Sequence, residues 1–250
     1  MPDFDPADAA LVFAIFTLGG MVKGVAGFGL PTVSLGLLAL TRPLPEAMAL
    51  VLLPTLATNA WQALASGALR PVLRRLAGFL VAAFLGTLVA AGQLARADAA
   101  VLAGLLGLLM AASAAVALLG PTWPQPAPAT ERWLSPLFGG VSGAVAGLTG
   151  SFMMPAAPWL AALRLPRHEF VQAFALGAVV STVTLGLAMA GQGLIPPGLG
   201  VASVLVLAPA FLGMAIGARL RGLLSEGGFR TTIQLSLLVL GLYLAVRNLA

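Results

Sequence analysis

The chain has 250 residues, of which 60% are hydrophobic and 8% are charged, and its formal net charge is +5 at pH 7. A soluble domain usually carries about 25% charged residues, so this composition excludes a soluble globular protein and predicts that a lipid bilayer covers most of the surface. Cysteine is absent and His168 is the one histidine, which excludes disulfides and multi-histidine metal centres. We expect no cofactor. We also expect no nucleic-acid partner, because the arginines are scattered through short loops, as membrane-topology signals are.

Apolar segments follow one another along the sequence. A membrane-spanning helix needs about 20 apolar residues. Division of the apolar stretches at glycine, proline and polar residues predicts ten segments: 8–26, 28–41, 45–66, 71–94, 98–119, 132–149, 151–164, 167–190, 198–221 and 229–249. The expected fold class is therefore an all-α polytopic membrane protein with about 8–10 membrane segments, some of them broken at glycine or re-entrant.

The stretch 120–131 contains four prolines and is the predicted linker. It separates a first transmembrane repeat, 1–119, from a second, 132–250. Proline and glycine punctuate structure in this way between segments.

The two halves resemble each other in sequence. Gly19–Phe28 matches Gly139–Leu148 at an offset of 120, which favours an internal duplication. Two further pairs match in the same order, Leu44-Pro45 with Leu165-Pro166 and Thr58-Asn59 with Ser181-Thr182. The alternative, that Gly/Ala/Leu-rich helices resemble one another through composition alone, stays open.

The basic residues predict that the repeats lie in opposite orientations. With the N-terminus outside, and with an odd number of crossings or three crossings plus a re-entrant hairpin in each repeat, nine arginines are cytoplasmic and three are outside, which obeys the positive-inside rule. The cytoplasmic set is Arg70, Arg74, Arg75, Arg132, Arg164, Arg167, Arg219, Arg221 and Arg230, and the outer set is Arg42, Arg96 and Arg247. Ten full crossings and six crossings plus two opposed hairpins satisfy the charges equally.

Lys23 is preceded by fourteen uncharged residues and followed by eighteen, which places it inside the membrane. An ionisable group there costs about 2.5–3.5 kcal/mol on insertion scales and usually faces a cavity or a partner. We interpret Lys23 as a ligand for negative charge. The alternative is snorkelling, in which the ammonium reaches the cytoplasmic headgroups on its flexible stem.

Each repeat contains a glycine-rich break followed by a proline, at Gly24–Pro31 and Gly147–Pro155. Glycine lets the backbone adopt a positive φ and approach a ligand, and a helix that restarts after a break presents unpaired N–H groups. Paired breaks in repeats are a sequence indicator of a transporter's binding site. The predicted anion site therefore includes Gly27, Phe28 and Gly29 from the first break and Thr149, Gly150 and Ser151 from the second.

Other glycines are expected to pack helices together through small-xxx-small contacts. This interpretation applies to Gly20, Gly24, Gly140, Gly143 and Gly147.

Polar residues in the third segment of each repeat complete the predicted site. Asn59 and Gln62 are three residues apart and share one helix face, and Ser181 and Thr182 occupy the corresponding region of the second repeat. A neutral polar lining of this kind coordinates oxyanion oxygens. Hydrogen bonding between helices is the alternative.

Four motifs of the chain resemble the sulfite exporter TauE/SafE family of membrane transporters. They are the run Gly19-Gly20-Met-Val-Lys-Gly-Val-Ala-Gly-Phe-Gly-Leu-Pro31, the restart Leu44-Pro45-Glu-Ala47, and the repeats of these two at Gly139 to Pro155 and Leu165-Pro166. The resemblance covers nearly the whole chain. It implies a multi-pass transporter of the bacterial inner membrane whose partner is a small anionic substrate, such as sulfite, sulfoacetate or a related sulfonate or carboxylate. We expect export by alternating access, and self-association as a homodimer is left open.

An anion channel would use the same groups along a continuous polar path and is the alternative function. An enzyme is not expected, because no segment contains paired aspartates, a His/Glu cluster or a cysteine. Glu46, His168 and Glu169 lie near segment starts, where they are helix N-terminal charges or proton relays, and proton coupling is left open.

Overall fold

The computed structural model describes residues 5–65, 67–120, 123–221 and 226–249, and in these ranges the chain is helical, with one 3-10 turn and no strand. The helices of the first half are α1 (Pro6–Ala26), α2 (Leu30–Leu38), α3 (Leu44–Ala65), α4 (Leu69–Arg75), α5 (Ala77–Ala91) and α6 (Ala99–Leu119). Those of the second half are α7 (Pro128–Thr149), α8 (Ala156–Ala162), α9 (Arg167–Gly191), α10 (Pro197–Leu205), α11 (Leu207–Leu220) and α12 (Glu226–Leu249). Ser66 of the predicted third segment, Pro121 and Thr122 of the predicted linker and the Arg230 side chain lie outside the described residues.

The all-helical fold class is confirmed. Seven spans in the described part are long and apolar enough to cross a membrane: Pro6–Ala26, Leu44–Ala65, Ala77–Arg96, Ala99–Leu119, Arg167–Gly191, Pro197–Leu220 and Thr231–Leu249. Two predicted segments are each divided, 71–94 into α4 and α5 and 198–221 into α10 and α11. Pro209 explains the second division, because its ring crowds the carbonyl of Leu205, four residues earlier, and α10 ends at that residue.

The two glycine-rich breaks form the turns of two helical hairpins. In the first hairpin, Arg42 follows α2 and forms an ion pair with Asp8 near the start of α1, so the two open ends of the hairpin lie together. In the second, Trp159 Nε1 of α8 donates to Ser135 Oγ of α7 at 3.2 Å, so α8 runs back along α7.

The central helices are α3 and α9, which pack against each other. α3 also contacts α2, α6, α10 and α11, whereas α9 contacts α4, α5, α7 and α8. Pro54 lies inside α3 and prevents the carbonyl of Leu50 from forming its usual helical hydrogen bond. That carbonyl instead accepts a hydrogen bond from Ser203 Oγ of α10 at 2.9 Å, which attaches α10 to the proline site of α3.

Three further helix pairs, α1 with α11, α5 with α7 and α6 with α12, each join one helix of the first half to one of the second. We call their close contacts the glycine seams. In the α1–α11 seam, a methyl group at Gly20 or Gly24 would clash with the α11 backbone at Ala210 and Met214. The predicted small-xxx-small packing is confirmed here, since only glycine allows backbones to approach this closely.

The α5–α7 seam repeats this arrangement. A methyl group at Gly143 or Gly147 would clash with the α5 backbone at Ala83 and Thr87. Gly140 also lies in this seam, because a methyl group at Gly86 would clash with the carbonyl oxygen of Gly140. The prediction that Gly140 itself must be small is wrong, because a methyl group added there would lie 3.8 Å from its nearest neighbour, Ala82.

Equivalent seam positions are 123 residues apart in α1 and α7, as 143 minus 20 and 147 minus 24 give. The glycines that end these helices, Gly27 and Gly150, also differ by 123. The sequence offset of 120 is therefore out of register by three residues. Small residues recur every three or four positions on a packing face, so a shift of nearly one turn still matches glycine with glycine.

Candidate functional site

Left-handed glycines end both long hairpin helices. The φ angle is 91° at Gly27 and 106° at Gly29 in the first hairpin, and 75° at Gly150 in the second. L-residues with a side chain rarely adopt these angles, which explains why each break contains glycine. The predicted positions of the breaks are confirmed.

The turns of the two hairpins meet inside the protein. Thr32 Oγ1, in the first turn of α2, lies 2.8 Å from Ser151 Oγ, just after α7. Thr32 Oγ1 also donates to Met153 Sδ at 3.6 Å, so in this arrangement Ser151 donates to Thr32. Thr149 positions this contact, because its Oγ1 accepts a hydrogen bond from the Ser151 amide at 3.3 Å.

A small internal cavity of about 10 Å³ lies between the hairpin turns and the two central helices. Its lining residues are Gly29, Pro31, Thr32, Thr55, Ala146, Gly150, Phe152, Met153, Phe174, Ala178, Ser181, Thr182 and Leu185. A second cavity of similar volume adjoins it and shares Thr55, Gly150, Thr182 and Leu185. None of these side chains is charged, and four of them, Thr32, Thr55, Ser181 and Thr182, carry a hydroxyl group, so the central cavity is neutral and part of its wall is polar.

Two hydroxyl groups on the cavity wall lack a hydrogen-bond partner within the described part of the chain. They are Thr55 Oγ1 of α3 and Ser181 Oγ of α9, and their residues are 3% and 1% exposed. A buried polar group without a partner costs about 1–3 kcal/mol. The structure therefore places one unsatisfied hydroxyl from each half on the same cavity.

Lys23 does not line the cavity. Its side chain is 1% exposed, so the ammonium does not reach the protein surface and the snorkelling alternative is wrong. Lys23 Nζ donates to Asn59 Oδ1 at 2.5 Å, and Asn59 Nδ2 donates to the carbonyl of Thr55 at 2.8 Å. Lys23 and Asn59 therefore lie one turn of α3 away from the cavity residue Thr55.

The remaining predicted residues support the first hairpin turn. Gln62 Nε2 donates to the carbonyl of Gly27 at 2.9 Å. The ring of Phe28 packs on those of Phe170 and Phe174 of α9. The predicted site is thus divided by the structure into two groups. Gly29, Gly150, Ser181 and Thr182 line the cavity, whereas the supporting group contains Lys23, Gly27, Phe28, Asn59, Gln62, Thr149 and Ser151.

Sequence reasoning did not single out Thr32 or Thr55. Thr55 lies four residues before Asn59, so the helix face that carries Asn59 and Gln62 also carries Thr55. Extension of that face by one turn would have identified it. Thr32 follows the proline of the first break, where the first turn of a helix leaves backbone N–H groups unpaired.

These features define an all-helical, multi-pass membrane protein with two hairpins whose turns meet at a small neutral cavity. The profile of the family described as Sulfite exporter TauE/SafE matches residues 12–244. The chain belongs to this family, which is a family of membrane transporters. Comparison with curated proteins and with solved structures gives no match.

Proposed function

We propose that the protein exports a small anion, sulfite or a related sulfonate or carboxylate, across the bacterial inner membrane, and that the anion binds in the central cavity. The observation that carries this proposal is the pair Thr55 and Ser181, two buried hydroxyls from opposite halves without a described partner. Oxyanion oxygens are hydrogen-bond acceptors, and one bound anion satisfies both hydroxyls.

The start of α2 adds backbone donors to the same cavity. α2 has nine residues and begins at Leu30, so the amides of Leu30 and Thr32 have no acceptor within the helix. The positive end of the helix dipole favours an anion at this position. Gly29 and Thr32 line the cavity, so the start of α2 lies at the cavity.

The small volume of the cavity supports alternating access. A cavity of about 10 Å³ has room for about one water molecule, and sulfite is larger. The hairpins must therefore separate for the anion to bind or leave, and the Thr32–Ser151 hydrogen bond breaks when they do. A closed site between two mobile hairpins favours a carrier over the alternative, an open anion channel.

The contacts between the halves support an inverted-topology repeat. Gly107 of α6 and Gly241 of α12 approach each other's backbone reciprocally, as a pseudo-two-fold axis requires. Arg247 of the predicted outer set donates to the carbonyl of Leu40, close to Arg42 of the same set. In this topology the open ends of the first hairpin face outward and those of the second face the cytoplasm, with six crossings beside the two hairpins.

Transport of radiolabelled sulfite by the full chain in proteoliposomes tests the proposal. We expect Ser181→Ala to lower Vmax/KM for sulfite roughly fivefold, because the loss of one hydrogen bond costs about 1 kcal/mol. Thr184→Ala is the matched control, since Thr184 lies in the same helix, is 3% exposed and donates to the carbonyl of Val180 in its own helix.

Two results would contradict the proposal. Equal losses in the Ser181 and Thr184 variants would show that the cavity is not the site. External unlabelled sulfite should accelerate the release of labelled sulfite through a carrier, so the absence of acceleration, together with a sulfite current, would establish the channel alternative.

A further inference from the structure

We propose that Lys23 binds a second small anion, a halide or an oxyanion, at a site one helical turn from the central cavity. A role for this site in transport, as a second anion site on the transport path, rests on the proposed function. Anion binding at Lys23 is a separate property that can be tested without transport.

The first argument is the unbalanced charge of Lys23. An ammonium group has three donor hydrogens, and within the described residues Asn59 Oδ1 is its hydrogen-bond acceptor. The ion pairs found in the described part of the chain join Arg42 to Asp8 and Arg75 to Glu131, and neither includes Lys23. A buried charge without a counter-ion is strongly unfavourable, and an anion supplies both the opposite charge and acceptors for the remaining hydrogens.

The second argument is the position of Lys23 along α3. Thr55 lines the cavity, Asn59 is four residues further on, and a rise of 1.5 Å per residue places it about 6 Å along the helix axis. Gln62 lies three residues after Asn59 in α3, and its side chain donates to the carbonyl of Gly27. Lys23 therefore lies between the cavity and the end of α3 at Ala65, which faces the cytoplasm in the proposed topology.

A second cation lies at the same end of α1. The guanidinium of Arg221, after α11, donates to the carbonyl of Gly24, the residue that follows Lys23. The basic side chains of Lys23 and Arg221 therefore lie at the same end of α1.

The equivalent positions of the second half carry no charged side chain. With the offset of 123, the counterparts of Lys23, Asn59 and Gln62 are Ala146, Thr182 and Leu185. The cavity hydroxyls come from both halves, whereas Lys23 and its acceptor Asn59 come from the first half. The second anion is consequently held on one side of the cavity only.

Bromide is a suitable probe, because it is a small anion with an anomalous X-ray signal. The full chain, purified in detergent with gluconate as the only anion, should be stabilised against thermal unfolding by added bromide in a saturable manner. Lys23→Gln should raise the half-saturating bromide concentration roughly tenfold or more, because a charge-assisted hydrogen bond is lost. Lys23→Arg should retain the effect, and so should Arg96→Gln, which removes an exposed arginine.

Crystals of the wild-type protein in bromide should show an anomalous peak in contact with Lys23 Nζ. This measurement keeps the proposal falsifiable if Lys23→Gln does not fold. Unchanged bromide stabilisation in Lys23→Gln would overturn the proposal, and so would a peak without saturable stabilisation, which would be binding at crystal concentration only. Ser181→Ala should keep the Lys23-dependent stabilisation by bromide even where sulfite transport is lost. The bromide measurement therefore tests the Lys23 site, and the transport measurement tests the proposed function.

Discussion

The two halves of the molecule repeat their packing but not their chemistry. Gly20 and Gly24 approach α11 as Gly143 and Gly147 approach α5, so these two seams pack in the same way. Lys23, by contrast, has Ala146 as its counterpart. A close backbone contact tolerates only small residues, whereas a side chain beside a cavity can change without disturbing the framework. The comparison indicates that both halves contribute the same kind of close helix contact to the seams. The buried charge near the cavity, Lys23, comes from the first half.

The largest expected effect is the loss of a seam. Gly20→Ala and Gly143→Ala should each lower the free energy of unfolding by about 3 kcal/mol, because the added methyl group forces two helices apart. Thermal unfolding in detergent measures both. Gly140→Ala is the matched control and should be neutral or stabilising by up to about 1 kcal/mol, because its methyl group has room. A large loss in one seam variant and none in the other would break the equivalence of the halves.

A smaller effect is expected at Gln172, where the halves differ. Gln172 Nε2 donates to the carbonyl of Ala63 at 2.6 Å and its Oε1 accepts from the amide of Ala68 at 3.0 Å, whereas Ala49 occupies the equivalent position of the first half. Gln172→Ala should cost about 2 kcal/mol, because two buried backbone groups lose their partner.

Gln93→Ala is the control for Gln172, since Gln93 is exposed and surface substitutions usually change stability by less than about 0.5 kcal/mol. Both variants are compared by the same thermal unfolding. Equal stability of the two variants would mean that α9 is held by packing alone.

The smallest effect is expected at the acidic residues that begin the first helix of each half. Asp8 pairs with Arg42, and its counterpart Glu131 makes two hydrogen bonds to Arg75, of 2.8 and 2.9 Å. The hydrogen bond and the charge of Glu131 raise the pKa of Arg75, so this arginine stays charged at every accessible pH. Arg75→Gln should cost about 0.2–1 kcal/mol, because the pair is partly exposed.

Added salt should reduce the cost of Arg75→Gln, since exposed charges are screened. A double-mutant cycle with Glu131→Gln isolates the pair. A coupling energy that does not change between low and high salt would show that the pair is buried in the membrane-embedded protein.

Much of the fold follows from local properties of the sequence. Both breaks lie where glycine is needed for a positive φ, so Gly27 and Gly150 were identifiable without tertiary information. The alignment between the halves could not be identified from the sequence, because glycines that recur every three or four residues match equally well at offsets of 120 and 123. The backbone contacts of Gly20 and Gly143 and the left-handed conformations of Gly27 and Gly150 distinguish the two alignments.

The site was less predictable than the fold. Lys23 is conspicuous in an apolar segment, but its separation from the cavity depends on which residue of α3 it meets. Thr55 resembles other threonines of apolar helices, such as Thr58, which bonds to its own helix at Pro54. The unsatisfied hydroxyl of Thr55 becomes evident only when α9 brings Ser181 to the same cavity.

The glycine seams also determine an order of events during synthesis of the chain. α7 follows α5 after a short interval, and its seam can form as soon as it inserts. α1 ends at Ala26 and its partner α11 begins at Leu207, 181 residues later (207 minus 26). At about 5–20 residues per second this gap takes roughly 9–36 s. The glycine face of α1 and the lysine beside it therefore lack their α11 partner until almost the whole chain has been synthesised.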